Sequence, residues 1–242
     1  MRFMTWNCRV GGFRTKSEYV SPFRPDVLVV QEVSPADDVL LYAGEAQPTY
    51  TDRPPYRPTP PRAMGVFSYT DIQLASVDDP TDPREGEDEY RHLFRRYAAE
   101  RGDLKFHVAA VWTAWTKNPK EAYRQAHRGL EHHADWILER PTVILGDLND
   151  NASFKGTRWK DFMELLRPLG YVSAYHVSCG ETFGAETRAT HYFRGDRTRT
   201  FHIDYCFIPE VWKDQITATQ VGSYDDWHKI SDHVPLIVDV EL

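Results

Sequence analysis

Acidic and amide side chains follow apolar stretches of this chain at the points where those stretches end. The clearest case is the run 142–145, Thr-Val-Ile-Leu, which is followed at once by Gly146, Asp147, Leu148 and Asn149. A short run of apolar, mostly β-branched residues predicts a buried strand. The end of a buried strand is a rigid mount for a carboxylate that acts on a substrate, but Asp and Asn are also common in ordinary turns. This stretch alone leaves both interpretations open.

Four other places repeat the pattern, with polar residues at or near the ends of predicted strands. They are Asn7, the pair Gln31 and Glu32, the segment 202–205 with His202 and Asp204, and the segment 231–233 with Asp232 and His233. A hard cation held by carboxylates neutralises an anionic ester, and a further carboxylate can then act as a base. An amide and a cationic imidazole add fixed donors where negative charge develops. These residue types therefore suit chemistry on a phosphate ester.

The late strand near residue 204 carries a carboxylate in an apolar setting. Side chains alternate between the two faces of a strand, so Asp204 shares a face with His202 and Cys206. A buried Asp is costly unless a partner satisfies it. An Asp–His pair is a common way to orient an imidazole, which makes His233 a candidate partner for Asp204.

Composition limits the class of protein. The chain has 242 residues, a hydrophobic fraction of 41%, a charged fraction of 27% and a net charge of −7, which together are typical of a globular protein and unlike a general nucleic-acid coating protein. Its 3 cysteines form no disulfide or zinc pattern and predict reduced thiols in the cytoplasm. We see no signal peptide and no membrane-spanning run, and no obligate protein partner is evident.

Periodicity predicts the elements that carry these residues. Strands are predicted over 2–6, 26–33, 63–69, 72–77, 104–115, 142–146, 171–175, 190–193, 200–208 and 234–241. Helices are predicted over 15–23, 90–101, 120–140 and 160–169. The proline-rich segment 54–61 predicts an extended loop, and the acidic segment 78–89 predicts a solvated surface loop. No repeat or linker divides the chain, so residues 1–242 are predicted to form a single domain of two packed sheets with helices outside.

The motifs together resemble one known family. Thr5-Trp6-Asn7, Gln31-Glu32, Gly146-Asp147-Leu148-Asn149, Ile203-Asp204-Tyr205 and Ser231-Asp232-His233 occur in the order and at the strand ends typical of the endonuclease/exonuclease/phosphatase superfamily. The resemblance extends from end to end of the chain. It implies an α/β protein with a four-layer α/β/β/α sandwich of two packed mixed sheets. It also implies hydrolysis of a phosphate ester with Mg²⁺, for which Mn²⁺ could substitute.

The same resemblance implies roles for individual residues. Glu32 is expected to be a metal ligand, and Asn7 and Asp232 to help hold the metal or the phosphate. Asp147 is expected to align or deprotonate the attacking water, and Asn149 to donate a hydrogen bond to the scissile phosphate. His233 is expected to stabilise charge on the phosphoryl oxygens, with Asp204 orienting it.

Two departures from the family pattern concern the substrate. Ala114 falls where many members have a Tyr or His that contacts the phosphate, and Arg9 stands where the abasic-site enzymes have an acid. The basic loop 194–199, with Arg197 and Arg199, is either a solvated turn or a contact for a phosphate backbone. His191 and His202 are expected near Asp204, so substrate-binding residues are predicted to be Arg9, His191, His202, Arg197 and Arg199.

Three functions follow from these expectations. The first is a Mg²⁺-dependent nuclease acting on DNA or RNA, which the basic loops around an acidic centre favour. The second is a phosphatase or phosphodiesterase of a small phosphorylated metabolite or lipid head group. The third is a non-catalytic binding module, against which the joint presence of Asp147, Asn149, Asp204 and His233 argues.

Overall fold

The computed structural model describes residues 1–34, 48–52, 55–56, 62–77, 94–113 and 119–242. Within these ranges the strands are β1 (Arg2–Asn7), β2 (Val27–Val33), β3 (Tyr50–Asp52), β4 (Pro55–Tyr56), β5 (Arg62–Ser68), β6 (Gln73–Ser76), β7 (Phe94–Arg101), β8 (Leu104–Trp112), β9 (Thr142–Asp147), β10 (Tyr171–Ser173), β11 (His191–Tyr192), β12 (Thr200–Phe201), β13 (Asp204–Pro209), β14 (Ile216–Val221) and β15 (Leu236–Val240).

The helices in these ranges are short. They are α1 (Phe13–Lys16), α2 (Pro119–His132), α3 (Ala134–Glu139), α4 (Trp159–Leu166), α5 (Ala174–Cys179) and α6 (Tyr224–Trp227). Single 3₁₀ turns add Ser17–Tyr19, Ser21–Phe23, Phe193–Gly195 and Glu210–Gln215. No helix among the described residues has the length and apolar character needed to cross a membrane.

The strands form two mixed sheets. The first has the order β14-β15-β1-β2-β5-β3, with β4 also paired to β5, and the second has the order β10-β13-β9-β8-β7-β6. Each contains one parallel pair, β1 with β2 and β8 with β9, among antiparallel neighbours. β11 and β12 form a separate hairpin. The carboxyl ends of parallel neighbours meet at one edge of a sheet, so the polar residues that end β1 and β2 lie side by side.

The two sheets pack face to face and helices cover their outer faces. Residues such as Phe3, Val29, Val108 and Leu145 form a buried apolar cluster between the sheets. A second cluster joins the outer face of the second sheet to α2, α3 and α4. A third joins the outer face of the first sheet to α1 and α6. The fold is therefore the expected four-layer α/β/β/α sandwich. Because β9 is covered on both faces, it is buried throughout and appears in the sequence as a continuous apolar run.

Most predicted elements are confirmed, and the errors are local. The helix predicted over 90–101 is wrong in its described part, because β7 spans Phe94–Arg101 and pairs with β8 along its whole length. The helix predicted over 120–140 is confirmed with an interruption at His133, which has φ −102° and ψ 11°. The strand predicted over 171–175 ends at Ser173, where α5 begins. Strands β3 and β14 and helices α5 and α6 were not predicted, and β4 lies in the segment predicted to be an extended loop.

Several expectations concern residues outside the described ranges. They are the acidic loop 78–89, the end of the strand at 114–115 with Ala114, and most of the proline-rich segment, of which β4 is described.

Candidate active site

The site lies where the ends of four strands from both sheets meet. Asn7 ends β1 and Glu32 is the second-last residue of β2 in the first sheet, while Asp147 ends β9 and Asp204 begins β13 in the second. The Nδ2 of Asn7 donates to Asp147 Oδ2 over 3.0 Å and lies 3.4 Å from Glu32 Oε1. The Asn7 amide therefore links carboxylates carried by opposite sheets.

Close packing before Asp147 fixes the end of β9. Gly146 has φ +152°, and a Cβ added there would lie 1.8 Å from the carbonyl oxygen of Val111 in the neighbouring strand. Only glycine fits such an approach of two backbones. The following residue, Asp147, has no exposed surface, so its carboxylate is held inside the protein at the edge of the sheet.

Asp147 is held by three hydrogen bonds. Besides the Asn7 amide, it accepts the backbone N–H of Asn149 over 2.9 Å at Oδ1 and the Asn149 side chain over 3.1 Å at Oδ2. Asn149 adopts a left-handed backbone with φ +48°, and its Nδ2 also donates to the carbonyl oxygen of Thr113 over 2.7 Å. The strained turn after β9 therefore wraps around the carboxylate and fixes its orientation.

Glu32 occupies a bulge in β2. The register between β2 and β5 shifts between Val30 and Val33, and Glu32 has φ +62°. A bulge redirects a side chain at the rim of a sheet. Here the Glu32 carboxylate accepts the backbone N–H of Val10 over 2.8 Å, so the loop after β1 and the end of β2 are joined through this side chain.

Asp204 and His233 form the predicted pair. Nδ1 of His233 lies 2.9 Å from Asp204 Oδ2, and both side chains are buried. The hydroxyl of Thr190 accepts the backbone N–H of Asp204 over 3.1 Å. Ser231 donates its hydroxyl to the carbonyl oxygen of Asn7 over 2.7 Å and accepts the N–H of His233 over 3.0 Å. The pair is thus fixed at both ends and tied to the end of β1.

The centre of the site holds competing charges. Burial, together with the carboxylate of Asp204 in the cross-strand position, raises the pKa of Asp147 to about 7, although His233 and the Asn7 amide act in the opposite direction. Burial alone would lower the pKa of His233, but the charge and hydrogen bond of Asp204 raise it to about 9. At neutral pH the imidazole is therefore a cation beside two carboxylates, one of which is close to its own pKa.

Asp232 borders the site with two basic neighbours. Its Oδ2 lies 3.5 Å from Arg9 Nε and 3.9 Å from His191 Nε2. The His191 ring packs against His233 with 4.3 Å between ring centroids. Burial, with the nearby charges of His233 and Arg9, lowers the pKa of His191 to about 2, so His191 is a neutral ring next to a charged one.

The donors around the centre fit a hard divalent cation. Two groups, Asp147, Asp204 and His233, and His191, Asp232 and His233, have ligand atoms within 4.8 Å of one another. Oδ1 of Asp204 is buried and, within the described part of the chain, accepts no hydrogen bond. Carboxylate oxygens are ligands that Mg²⁺ prefers. The pKa of Asp147 is raised by burial and then by the charge of Asp204, and a bound cation would favour the charged form of this carboxylate.

Three of the predicted substrate residues lie away from this centre. His202 Nδ1 bonds to the carbonyl oxygen of Arg188 over 2.7 Å, and its ring packs on Tyr175. Arg197 makes a double hydrogen bond to Asp225, and Arg199 lies over the ring of Phe193. In the described ranges, no contact joins either arginine to the side chains around Asp147. Arg9 and His191, in contrast, lie beside Asp232.

Supporting residues are harder to find in a sequence than charged ones. Thr190, which accepts the backbone N–H of Asp204, is an ordinary threonine at the start of a predicted strand. Thr113, whose carbonyl oxygen accepts the Asn149 amide, follows a strand without any motif. Ser231 could be found from the sequence because it is part of the Ser-Asp-His motif. In the structure its hydroxyl links the carbonyl oxygen of Asn7 to the N–H of His233.

This sandwich, with carboxylates and a charged histidine at the joined sheet ends, defines a class of phosphate-ester hydrolases. The chain matches the Endonuclease/Exonuclease/phosphatase family over residues 4–233, and it belongs to that family. Members are metal-dependent nucleases or phosphatases and generally use divalent cations. No curated protein sequence matches the chain.

Solved structures share the fold at low sequence identity. The endonuclease domain of TRAS1, a telomere-specific non-LTR retrotransposon, is 14% identical with a TM-score of 0.68, over 100% of this chain and 98% of that one. The 3′ phosphatase NExo from Neisseria, bound to a product DNA hairpin, is 16% identical with a TM-score of 0.68 over 100% of both chains. The AP endonuclease LMAP from Leishmania major is 13% identical with a TM-score of 0.69, over 100% of this chain and 87% of that one.

Proposed function

We propose that this protein is a Mg²⁺-dependent phosphodiesterase that cleaves DNA or RNA, with Mn²⁺ able to replace Mg²⁺. One observation carries the proposal. The buried Asp147 carboxylate is held by Asn7 and Asn149 next to the buried Asp204–His233 pair. A fold needs no such assembly of buried charge, which is costly to desolvate, whereas hydrolysis of an anionic ester needs a base and a fixed cationic donor.

Each residue has a distinct task in this proposal. Glu32 holds the cation, while Asn7 and Asp232 help to hold the cation or the phosphate. When bound, the cation neutralises the phosphate and lowers the barrier to attack. Asp147 takes a proton from the attacking water, which is supported by a pKa raised to about 7, near the optimum for a general base at neutral pH.

His233 and Asn149 supply the hydrogen bonds. His233 is protonated at neutral pH because Asp204 raises its pKa to about 9, so Nε2 can donate to a phosphoryl oxygen while Nδ1 stays bonded to Asp204. Asp204 is thus a positioning residue. The Asn149 amide holds Asp147 in the free protein and is proposed to turn toward the scissile phosphate when substrate binds.

Nucleic acid is the proposed substrate because Arg9 lies at the acidic centre and because proteins of similar fold include a phosphatase bound to a DNA hairpin and an AP endonuclease. Arg197 and Arg199 are proposed to contact the nucleic-acid backbone away from the reacting phosphate. Arg199 lies over the ring of Phe193, whose centroid is 6.2 Å from that of the His191 ring. His191 is proposed to line the pocket and His202 to support its wall.

A small phosphate ester is the alternative substrate. It is favoured by the net charge of −7, which opposes binding of a polyanion, and by the presence of a 3′ phosphatase among the proteins of similar fold.

We further propose that residues 1–242 act as one catalytic domain, since both sheets supply the site. A cytoplasmic location is supported by three cysteines that form no disulfide, of which two are buried.

The test is a hydrolysis screen with Mg²⁺ and with Mn²⁺ over single- and double-stranded DNA, RNA, nucleotides and inositol phosphates. We expect nucleic-acid cleavage that EDTA abolishes. Asp147→Asn should lower kcat by about 10³-fold or more with little change in Tm, because the base is lost while the shape is kept. Asp150→Asn is the matched control, because Asp150 is also buried with a pKa raised to about 6, mainly by burial, and bonds to Thr157 outside the site. Equal activity of Asp147→Asn and the control would contradict the proposed mechanism.

A further inference from the structure

The main chain of Arg9 is fixed at the edge of the acidic centre. Arg9 has a left-handed backbone with φ +51°. Its N–H donates to Asn7 Oδ1 over 2.9 Å, and its carbonyl oxygen accepts Nζ of Lys16 over 2.9 Å. The position from which the guanidinium extends is therefore set by the site itself. The ion pair with Asp232, 3.5 Å from Nε to Oδ2, follows from this placement as well as from charge attraction.

A second protein cation lies behind Arg9. Nζ of Lys16 donates hydrogen bonds to the carbonyl oxygens of both Cys8 and Arg9. The negative charges of Glu32 and Asp232 also attract it. Asp232 thus already has the positive charges of Arg9 and Lys16 nearby, and Glu32 has that of Lys16. His233 is the cationic neighbour of Asp147 and Asp204, and its charge also acts on Asp232.

We infer that Arg9 takes the place of a second divalent cation at Asp232, so that the site holds one divalent cation, bound through Glu32 and Asn7. The inference rests on the proposed function. A guanidinium and a divalent ion on one carboxylate oxygen would lie only a few ångströms apart, and their repulsion at that distance is substantial even at a high effective dielectric constant. The guanidinium and a second divalent ion therefore compete for Asp232.

The guanidinium can also replace what a second ion would do for the substrate. It carries a permanent charge and several N–H donors in a planar fork that matches two phosphate oxygens. The Arg9 side chain is 46% exposed, against 15% for Asp232, so its guanidinium is accessible to a phosphate from solvent. Asp232 then acts by holding Arg9, and Arg9 binds the phosphate.

The test counts bound ions without substrate, by Mn²⁺ titration followed by electron paramagnetic resonance and by calorimetry. We expect 1 equivalent in the wild-type protein. Arg9→Gln keeps a polar side chain but removes the charge, and it should bind a second Mn²⁺ at least roughly tenfold more tightly than any weak further binding to the wild type. Adding Asp232→Asn to Arg9→Gln should remove the second ion. Arg158→Gln is the matched control, because that arginine is 45% exposed and pairs with Asp161 on α4.

Different failures are distinguishable. Two ions in the wild type, or a single ion in a folded Arg9→Gln protein, would overturn this inference and leave metal-dependent hydrolysis standing. If the wild type binds no Mn²⁺, the proposed metal-dependent function fails along with it. Circular dichroism and thermal melting confirm that each variant is folded before its ions are counted.

Discussion

At the scale of single residues, the Asp204–His233 pair determines the charge of the site. His233 Nδ1 and Asp204 Oδ2 are 2.9 Å apart, and both side chains are buried. Solvent therefore screens their interaction little. Two effects compete at His233, since burial favours the neutral ring and Asp204 favours the cation. The rise in pKa to about 9 shows that the carboxylate prevails, which keeps a hydrogen-bond donor in place throughout the neutral range.

The titration of His233 tests this balance directly. In the absence of divalent cations, the ring proton resonances of His233 should titrate with a midpoint near 9, against an ordinary value of 6.5. In Asp204→Asn the midpoint should fall well below 9, because burial remains while the anion bonded to the ring is lost. Proton NMR measures both, with Asp161→Asn as a control on an exposed carboxylate. An unchanged midpoint in Asp204→Asn would refute the assigned cause.

The same pair makes stability depend on pH in a defined direction. Because the folded pKa of His233 lies above the unfolded one, its contribution to the free energy of unfolding is complete below pH 6.5 and is lost as pH rises through 9. The difference between these two pKa values corresponds to about 3 kcal/mol of the free energy of unfolding. Asp147, whose pKa is also raised, likewise lowers the free energy of unfolding as pH rises, but its effect falls at lower pH than that of His233.

At the scale of elements, the ends of strands carry the function and the strands themselves carry the stability. Glu32 and Asn149 both have positive φ. Glu32 lies in the bulge near the end of β2, and Asn149 is two residues past the end of β9. Such a backbone costs on the order of 1–3 kcal/mol per residue. Side-chain hydrogen bonds hold both turns, from the Val10 N–H to Glu32 and from the Asn149 amide to Asp147.

Gly146→Ala should show how tightly the end of β9 is packed. The new Cβ would lie 1.8 Å from the Val111 carbonyl oxygen, so β8 and β9 must separate or Asp147 must move. We expect a loss of at least about 3 kcal/mol in the free energy of unfolding and a large loss of activity. Gly156→Ala, at φ +82° with no atom within 4 Å of the added Cβ, should cost only about 1 kcal/mol. Urea unfolding compares the two, and equal losses would contradict the packing argument.

Which elements could be predicted from sequence depends on whether local pattern and tertiary pairing agree. The run at 142–145 and the motifs at strand ends were predicted because burial on both faces imposes an apolar run and a turn follows it. The sequence of β7 contains Ala, Glu and Arg, which favour helix. Its pairing with β8 overrides that preference, and its buried residues Arg95, Tyr97 and Ala99 alternate with less buried ones as in a strand.

The site was predictable only where charge marked it. Asn7, Glu32, Asp147, Asp204 and His233 lie together at the joined sheet ends. One such residue could belong to an ordinary turn, but several polar strand ends in one chain predicted a common site. The Arg9–Asp232 ion pair depends on the path of the loop after β1, which no periodicity describes. The contacts of Arg197 with Asp225 likewise depend on how the hairpin of β11 and β12 lies against α6.

At the scale of the whole molecule, the site is a joint between the two sheets. The Asn7–Asp147 hydrogen bond and the Asp204–His233 pair both cross from residues of the first sheet or its flanking loop to the second. The apolar cluster between the sheets supplies most of the cohesion. The site adds buried carboxylates from both sheets at one end of that interface, and a bound cation would reduce the repulsion between them.

A divalent cation bound at this joint should therefore raise the free energy of unfolding of the whole protein. At a free concentration ten times the dissociation constant, binding to the folded state adds about 1.4 kcal/mol, which for a chain of this size raises Tm by roughly 3–6 °C. Glu32→Gln should abolish most of this rise, because it removes the proposed ligand, whereas Glu100→Gln, which alters an exposed pair with Lys105, should retain it. Scanning calorimetry with Mg²⁺ and with EDTA makes the comparison. An equal rise in Glu32→Gln and in the wild type would show that the cation binds elsewhere, and an unchanged Tm in the wild type would show that it does not act at this joint.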